Sequence, residues 1–275
     1  MLADVLIVSA VVIAGLMLVQ WLLSIPLRNV SIVDIGWGLG FVAIAWVGVW
    51  RCDITLKIVQ WPRWLLPVFV TIWGLRLALH LTKRNIGKPE DYRYAAMREA
   101  RGPAFVWSSL GIVFGLQGAV MWVVSLPVQM ALARPTPSVC HVLSGIGVAV
   151  WTIGLAFEAL GDWQLAQFKA DPAHKGRVMD RGLWKWTRHP NYFGDFLIWW
   201  GHWLLSLGVS DYGSTWWSII SPLLMSFLLI RVSGVALLEK ALRARSPEYA
   251  AYIERTSAFI PWWPKEAPHE RDRSH

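Results

Sequence analysis

The sequence predicts an all-α polytopic membrane protein, a seven-transmembrane-helix bundle forming one domain over residues 1–275. Three observations carry that reading. Of the 275 residues 55% are hydrophobic and 16% charged, more apolar surface than a soluble core of this size uses. The apolar residues gather into seven stretches close to the roughly 20 residues that cross a hydrocarbon layer. The cations between those stretches crowd onto alternate connections.

The first stretch, 3–25, lacks the basic leader and the small-residue cleavage site of a secretory signal, and so reads as a retained helix. The second, 32–50, opens on SIVDIGWGLGF. Its Gly36 and Gly40 stand i, i+4 and read as a small-residue packing face. GxGxG inside a span is no dinucleotide fingerprint, because that motif needs a preceding strand. The third stretch, 64–82, carries Arg76 and leads into a basic loop, which closes an N-terminal portion at 103. The C-terminal portion, 104–275, holds the stretches 104–126, 141–160, 193–209 and 216–238, then a charged tail.

Connections 26–31, 83–103, 161–192 and the tail from Lys240 contain 20 of the 26 Lys and Arg. The opposite connections contain Arg51, Lys57, Arg63 and Arg134. The positive-inside rule then predicts an external N-terminus and a cytoplasmic C-terminus. The net charge of +8 is explained by loops facing anionic lipid, with no nucleic acid as partner. Cys52 and Cys140 both map toward the outer surface and read as two unpaired residues, with a disulfide between them as the alternative. No CxxC or zinc-type spacing occurs, so no metal is expected.

Five charged side chains fall within or at the edge of spans: Asp34, Arg76, Glu158, Asp195 and Arg231. Such groups are costly in lipid and face an interior or a wet cavity. With the orientation above, all five lie toward the cytoplasmic side, which predicts one polar layer there. Arg188, Tyr192 and Asp195 follow i, i+4, i+7 and share a face if their helix begins near Pro190. Glu158 and Asp162 are one turn apart, with Lys169 beyond them, and Arg231 precedes Glu239 by eight residues. Arginine and lysine among these acids suit an anionic ligand such as a phosphate-rich nucleotide. Trp37 shares a face with Asp34; Asp34 reads either as a functional acid or as the counter-ion of Arg76.

The segments GLWKWTRHPNYFGD and LLEKALRARSPEYAAYIERTSAFIPWWP, with SIVDIGWGLGF and WGLRLALHLTKRN…EDYRY upstream, resemble the steroid 5-alpha-reductase family, and most closely its bacterial branch. The resemblance runs from about residue 30 to the tail. It implies an integral protein of the bacterial inner membrane, surrounded by membrane lipid, that binds NADPH from the cytoplasmic side. Its hydrophobic substrate would be a 3-oxo-4-ene steroid or similar lipid enone, reduced at the conjugated C=C bond. By position, Asp162, Lys169, Asn191, Asp195 and Arg231 match cofactor contacts, and Arg188, His189 and Tyr192 form the RHPNY variant of that motif. Glu158 and Glu239 join this set by their spacing. Asp34 falls where the family places its substrate-carbonyl Glu, and Arg76 on a pocket Arg. Two departures stand out: Val33 replaces the Gln before the acid, and Trp73 aligns with the catalytic Tyr. A second resemblance implies an S-adenosylmethionine-dependent methyltransferase of the isoprenylcysteine or phospholipid type, through RHPxYxG, Glu239, Tyr249 and Tyr252. The N-terminal helices with Asp34 and Arg76, and the phosphate-suited Lys169 and Arg231, favour the reductase.

Overall fold

The computed structural model describes residues 2–51, 61–133, 139–232, 239 and 247–265. Among these residues the chain is helical, with no strand, and Thr187 and Ser257 form an isolated parallel bridge. The helices are α1 Leu2–Leu27, α2 Ile32–Arg51, α3 Leu65–Asn85, α4 Tyr92–Val124, α5 Leu126–Ala133, α6 His141–Ala170, α7 Pro190–Val209, α8 Tyr212–Val232 and α9 Pro247–Arg255. Six of them (α1, α2, α3, α4, α6 and α8) are long and apolar enough to cross a membrane. The expected span at 193–209 does form within α7, over 20 residues. Asn191, Asp195, His202 and the tryptophans 199, 200 and 203 dilute its apolar content, which keeps it outside the six candidate spans among the described residues.

Two compact units divide the chain: Met1–Ser144 with Trp203–Ser221, and Gly145–His202 with Pro222–His275. In the first, α1 buries Val5, Ser9, Ile13, Met17, Gln20, Trp21 and Ser24, a repeat of three and four residues that keeps one face inward. Its other face leaves Ile7, Val11, Leu18 and Leu22 exposed, as a lipid-facing surface would. The helix stops at Arg28, whose φ of 49° is left-handed, while the amides of Arg28 and Asn29 return to the Ile25 and Ser24 carbonyls. Helices α2 and α3 cross at two glycines: a Cβ on Gly74 would lie 2.5 Å from the Gly38 carbonyl oxygen.

Helix ends in this unit sort into two sets. At one end, Val30 donates to Glu90 at 2.7 Å and the Asp91 amide donates to Ser31 at 2.8 Å. At the other, the buried Arg63 guanidinium donates to the Val209 carbonyl at 3.0 Å, the Cys140 amide donates to Gly208 at 2.9 Å, and Ser221 donates to Val124. Cys140 is an exposed free thiol, and Cys52 lies outside the described residues.

The second unit is built on backbone contact between α6 and α7. A Cβ at Gly194 would overlap the backbone of Gly154 and Glu158, and one at Gly201 would lie 2.7 Å from the Trp151 nitrogen. Helix α6 runs on to Ala170, ten residues past the expected end of its span, so Asp162 lies well inside the helix and Lys169 is helical rather than in a loop.

Candidate functional site

In the first unit the site grows from the laced loops at Val30–Ser31 and Glu90–Asp91. Asp91 caps α4 by accepting from the Arg93 amide at 3.0 Å. That cap starts α4 at Tyr92, where the sequence pattern placed the helix start at 104, and it swings Arg93 and Tyr94 onto the first turn of α2. Tyr94, 6% exposed, donates its phenol O–H to Asp34 Oδ1 at 2.9 Å. Arg93 stands 3.5 Å from Asp34 Oδ2 but binds Asp91 more closely, at 2.8 Å. Burial opposes the charge on Glu90, yet the Arg98 guanidinium and the Val30 amide outweigh it and hold that carboxyl below its usual range.

Tyr94 and Arg93 were not singled out from the sequence, although both stand in the EDYRY signature. Trp73, expected in the place of a catalytic Tyr, is instead fully buried edge-on against Phe41, with ring centroids 5.5 Å apart. The phenol beside the acid belongs to Tyr94. Arg76 lies one turn beyond Trp73 on α3, half-buried, and the cation beside Asp34 is Arg93. Trp37 packs against Phe41 at 5.2 Å, on the face that carries Asp34.

The second unit holds the remaining ten candidates. Arg188, immediately before α7, is 6% exposed and its guanidinium is held inside the protein. It donates to Glu239 at 2.8 Å, to the Ile253 carbonyl at 3.0 Å and to the Thr256 carbonyl. Thr187 donates to Phe259 at 2.8 Å, and Tyr252 donates to the Trp184 carbonyl at 2.5 Å. This clasp ties the RHPNY segment to α9 and the strand-like stretch after it. Burial raises the cost of charging Glu239, but hydrogen bonds from His189 and Arg188 hold its carboxyl below the usual range. His189 sits 3.4 Å from Glu239 and stacks nearly parallel on Tyr192 at 5.6 Å.

Asn191 donates to Asp162 at 3.1 Å where Gly161 lets α6 approach the start of α7. Glu158 is buried one turn back along α6, and Asp195 is half-buried one turn along α7. Lys169 and Arg231 are exposed, the latter on a π-helical turn, Leu228–Val232. A cavity of about 360 Å³ is lined by Phe168, Arg177, Asp180, Arg181, Glu248 and Arg255. Arg255 is held by Asp180 at 2.6 Å, whereas Arg177 and Arg181 are exposed. The basic loop signalled those cations, but only the fold brings them to one cavity. Thus Asp34, Trp73 and Arg76 belong to one unit, and the candidates around RHPNY to the other.

A helical membrane protein with an acid–phenol pair in one unit and a basic polar cluster in the other is the class these features define. The chain belongs to the family described as "Protein of unknown function (DUF1295)", whose model matches residues 20–256. It is 22% identical over 271 residues to an uncharacterized protein of Schizosaccharomyces pombe, covering 88% of this chain and 76% of that one. No solved structure matches.

Proposed function

We propose that this protein is an NADPH-dependent membrane oxidoreductase that reduces the conjugated C=C bond of a lipid enone, of the 3-oxo-4-ene steroid type. The observation that carries the reading is the Tyr94–Asp34 hydrogen bond, a proton-donating phenol held by a carboxyl inside an apolar helical unit. Saturating an enone requires a hydride at the β-carbon, a proton at the α-carbon, and stabilisation of the negative charge that builds on the carbonyl oxygen. Tyr94 supplies the donor for that oxygen. Asp34, when protonated, donates to the Tyr94 oxygen and turns the phenol O–H toward substrate, and Arg93 balances the pair when Asp34 is ionised. Trp37, Phe41 and Trp73 form apolar wall rather than acid.

The second unit fits a phosphate-bearing dinucleotide: Lys169 and Arg231 are exposed cations, Arg177 and Arg181 line a cavity, and the Asn191–Asp162 pair offers donor and acceptor to polar rings or sugars. NADPH supplies the hydride when bound. Arg188, Glu239 and Tyr252 then position the RHPNY segment from inside. Seven spans, an external N-terminus and a cytoplasmic C-terminus in a bacterial inner membrane complete the proposal, supported by the cation distribution.

The test is NADPH oxidation by the full chain in lipid, with a 3-oxo-4-ene steroid as substrate and the saturated ketone identified by mass. Product that is lost on Tyr94→Phe supports the reading. Absence of product, together with methyl transfer from S-adenosylmethionine to lipid, replaces it.

A further inference from the structure

The strip that follows α9 runs beside the segment that precedes α7. Thr187 and Ser257 form a parallel bridge, and the Arg188 amide donates to the Ser257 carbonyl at 2.9 Å. Thr187 donates to the Phe259 carbonyl at 2.8 Å, and the Trp262 amide donates to the Trp186 carbonyl at 3.0 Å. The Lys265 amide then returns to the Arg255 carbonyl at 2.8 Å and closes the strip on the end of α9. What this well-bonded backbone presents outward is apolar. Ile260, Trp262 and Trp263 are 63%, 69% and 72% exposed, and Trp263 meets Trp186 edge-on with ring centroids 4.6 Å apart. Large apolar side chains gathered on a surface mark a contact.

Two anchors fix the depth of that patch. The Trp184 indole donates to the Gly161 carbonyl at 3.0 Å, and Gly161 directly follows the apolar stretch 141–160 of α6, a helix long and apolar enough to cross a membrane. Phe259 lies edge-on against Phe193 and Phe196, in the first two turns of α7, at 6.0 and 5.5 Å. Trp186 is two residues from Trp184, at most about 7 Å of chain. The headgroup layer is about 5–7 Å thick on each side of the hydrocarbon. The patch therefore lies where hydrocarbon gives way to headgroups, the depth that suits an indole because its ring is apolar and its N–H stays wet. Charge narrows the choice of lipid. Lys185 precedes Trp186, Lys265 follows Trp263 by two residues, and both lysines are exposed. The nearby Asp180 is taken by Arg255 at 2.6 Å. Residues 266–275 read EAPHERDRSH, with no large apolar side chain to cover the indoles.

We infer that residues 260–265, with Lys185 and Trp186, form a membrane-interface anchor whose partner is anionic phospholipid. The indoles enter the headgroup layer and the lysines meet lipid phosphate. The same strip supplies the carbonyls that Thr187 and Arg188 bond, so the lipid surface sets the height at which the RHPNY segment is held. The inference is independent of the reaction carried out beside that segment.

The test is an environment-sensitive fluorophore on Ile260→Cys, with Cys52→Ser and Cys140→Ser, in the full chain. The chain is placed as one copy per nanodisc, in phosphatidylcholine with or without phosphatidylglycerol. The probe should be quenched by a nitroxide at a shallow acyl-chain position and shielded from aqueous iodide. In the anionic discs each lysine should raise the ratio of inserted to water-exposed probe by about fivefold. Lys185→Gln and Lys265→Gln should each remove their share of that gain, and high salt should abolish it. Trp262→Ser combined with Trp263→Ser should return the probe to water. A probe open to iodide with both tryptophans present overturns the inference, and that reading decides alone if the serine pair fails to fold. Equal protection in neutral and anionic discs overturns the anionic partner. Protection found only in discs that hold two copies overturns the anchor and assigns the patch to a second chain.

Discussion

Asp34 was legible in the sequence because a short acid near the start of an apolar run has few structural excuses. Tyr94 was not, because its helix starts twelve residues before its apolar run does, and the cap that starts it depends on a loop sixty residues upstream. Tyr94→Phe keeps the ring and removes the donor, and is expected to lower turnover by roughly 10²–10³, the effect of losing one oxyanion donor. Asp34→Asn should lose about 10²–10⁴ in turnover yet fold, because Arg93 retains Asp91 at 2.8 Å. A melting curve beside the kinetics separates these outcomes; an unfolded Asn variant would make Asp34 a structural counter-ion. Lys169→Ala should weaken NADPH by about 1.5–3 kcal/mol if the lysine meets phosphate, read as an equilibrium constant against NADH.

Element packing was half visible. Gly36 and Gly40 read as one packing face; Gly36 does meet Gln20 of α1, whereas Gly40 meets Met121 of α4 and then Leu16 of α1, and Gly38 between them crosses α3 backbone to backbone at Gly74. A run of alternating glycines does not say which neighbour each will meet until the partner helices are known. Gly38→Leu is expected to destabilise by about 1–3 kcal/mol or more through backbone overlap, checked by thermal unfolding in detergent. The RHPNY segment was legible as special but not as a clasp, since two of the three acceptors of Arg188 are main-chain carbonyls, at Ile253 and Thr256, which have no signature. Arg188→Ala takes the guanidinium from a half-buried Glu239 and should cost about 1–3 kcal/mol. Glu239 also sets a pH limit: its folded-state pKa lies below the usual 4.5, so its stabilisation is complete above that pH and is lost as pH falls through the lower folded value. Glu239→Gln should flatten the acid limb of a stability–pH curve.

At the scale of the whole molecule, the helical membrane class followed from composition and from the length of the apolar runs. Six helices among the described residues are long and apolar enough to cross, and the remaining expected span, α7, mixes apolar residues with Asn191, Asp195 and His202. Cations outside spans indicate orientation, and a periplasm-dependent reporter fused at the C-terminus should be silent while a cytoplasmic one is active. A signal from the periplasmic reporter would reverse the orientation.

The first unit is assembled from two separated lengths of chain, and this carries a consequence for biosynthesis. Residues 203–221 reach the ribosome exit long after α1 to α4 have entered the membrane, yet Arg63 and Cys140 take hydrogen-bond partners from that late piece. Until then the Arg63 guanidinium has not met its Val209 acceptor. Translation must run past residue 221 before the unit closes, so a ribosome stalled earlier presents an incomplete bundle to membrane quality control. Fragment 1–144 expressed by itself should be degraded, and co-expression of 145–275 should rescue it.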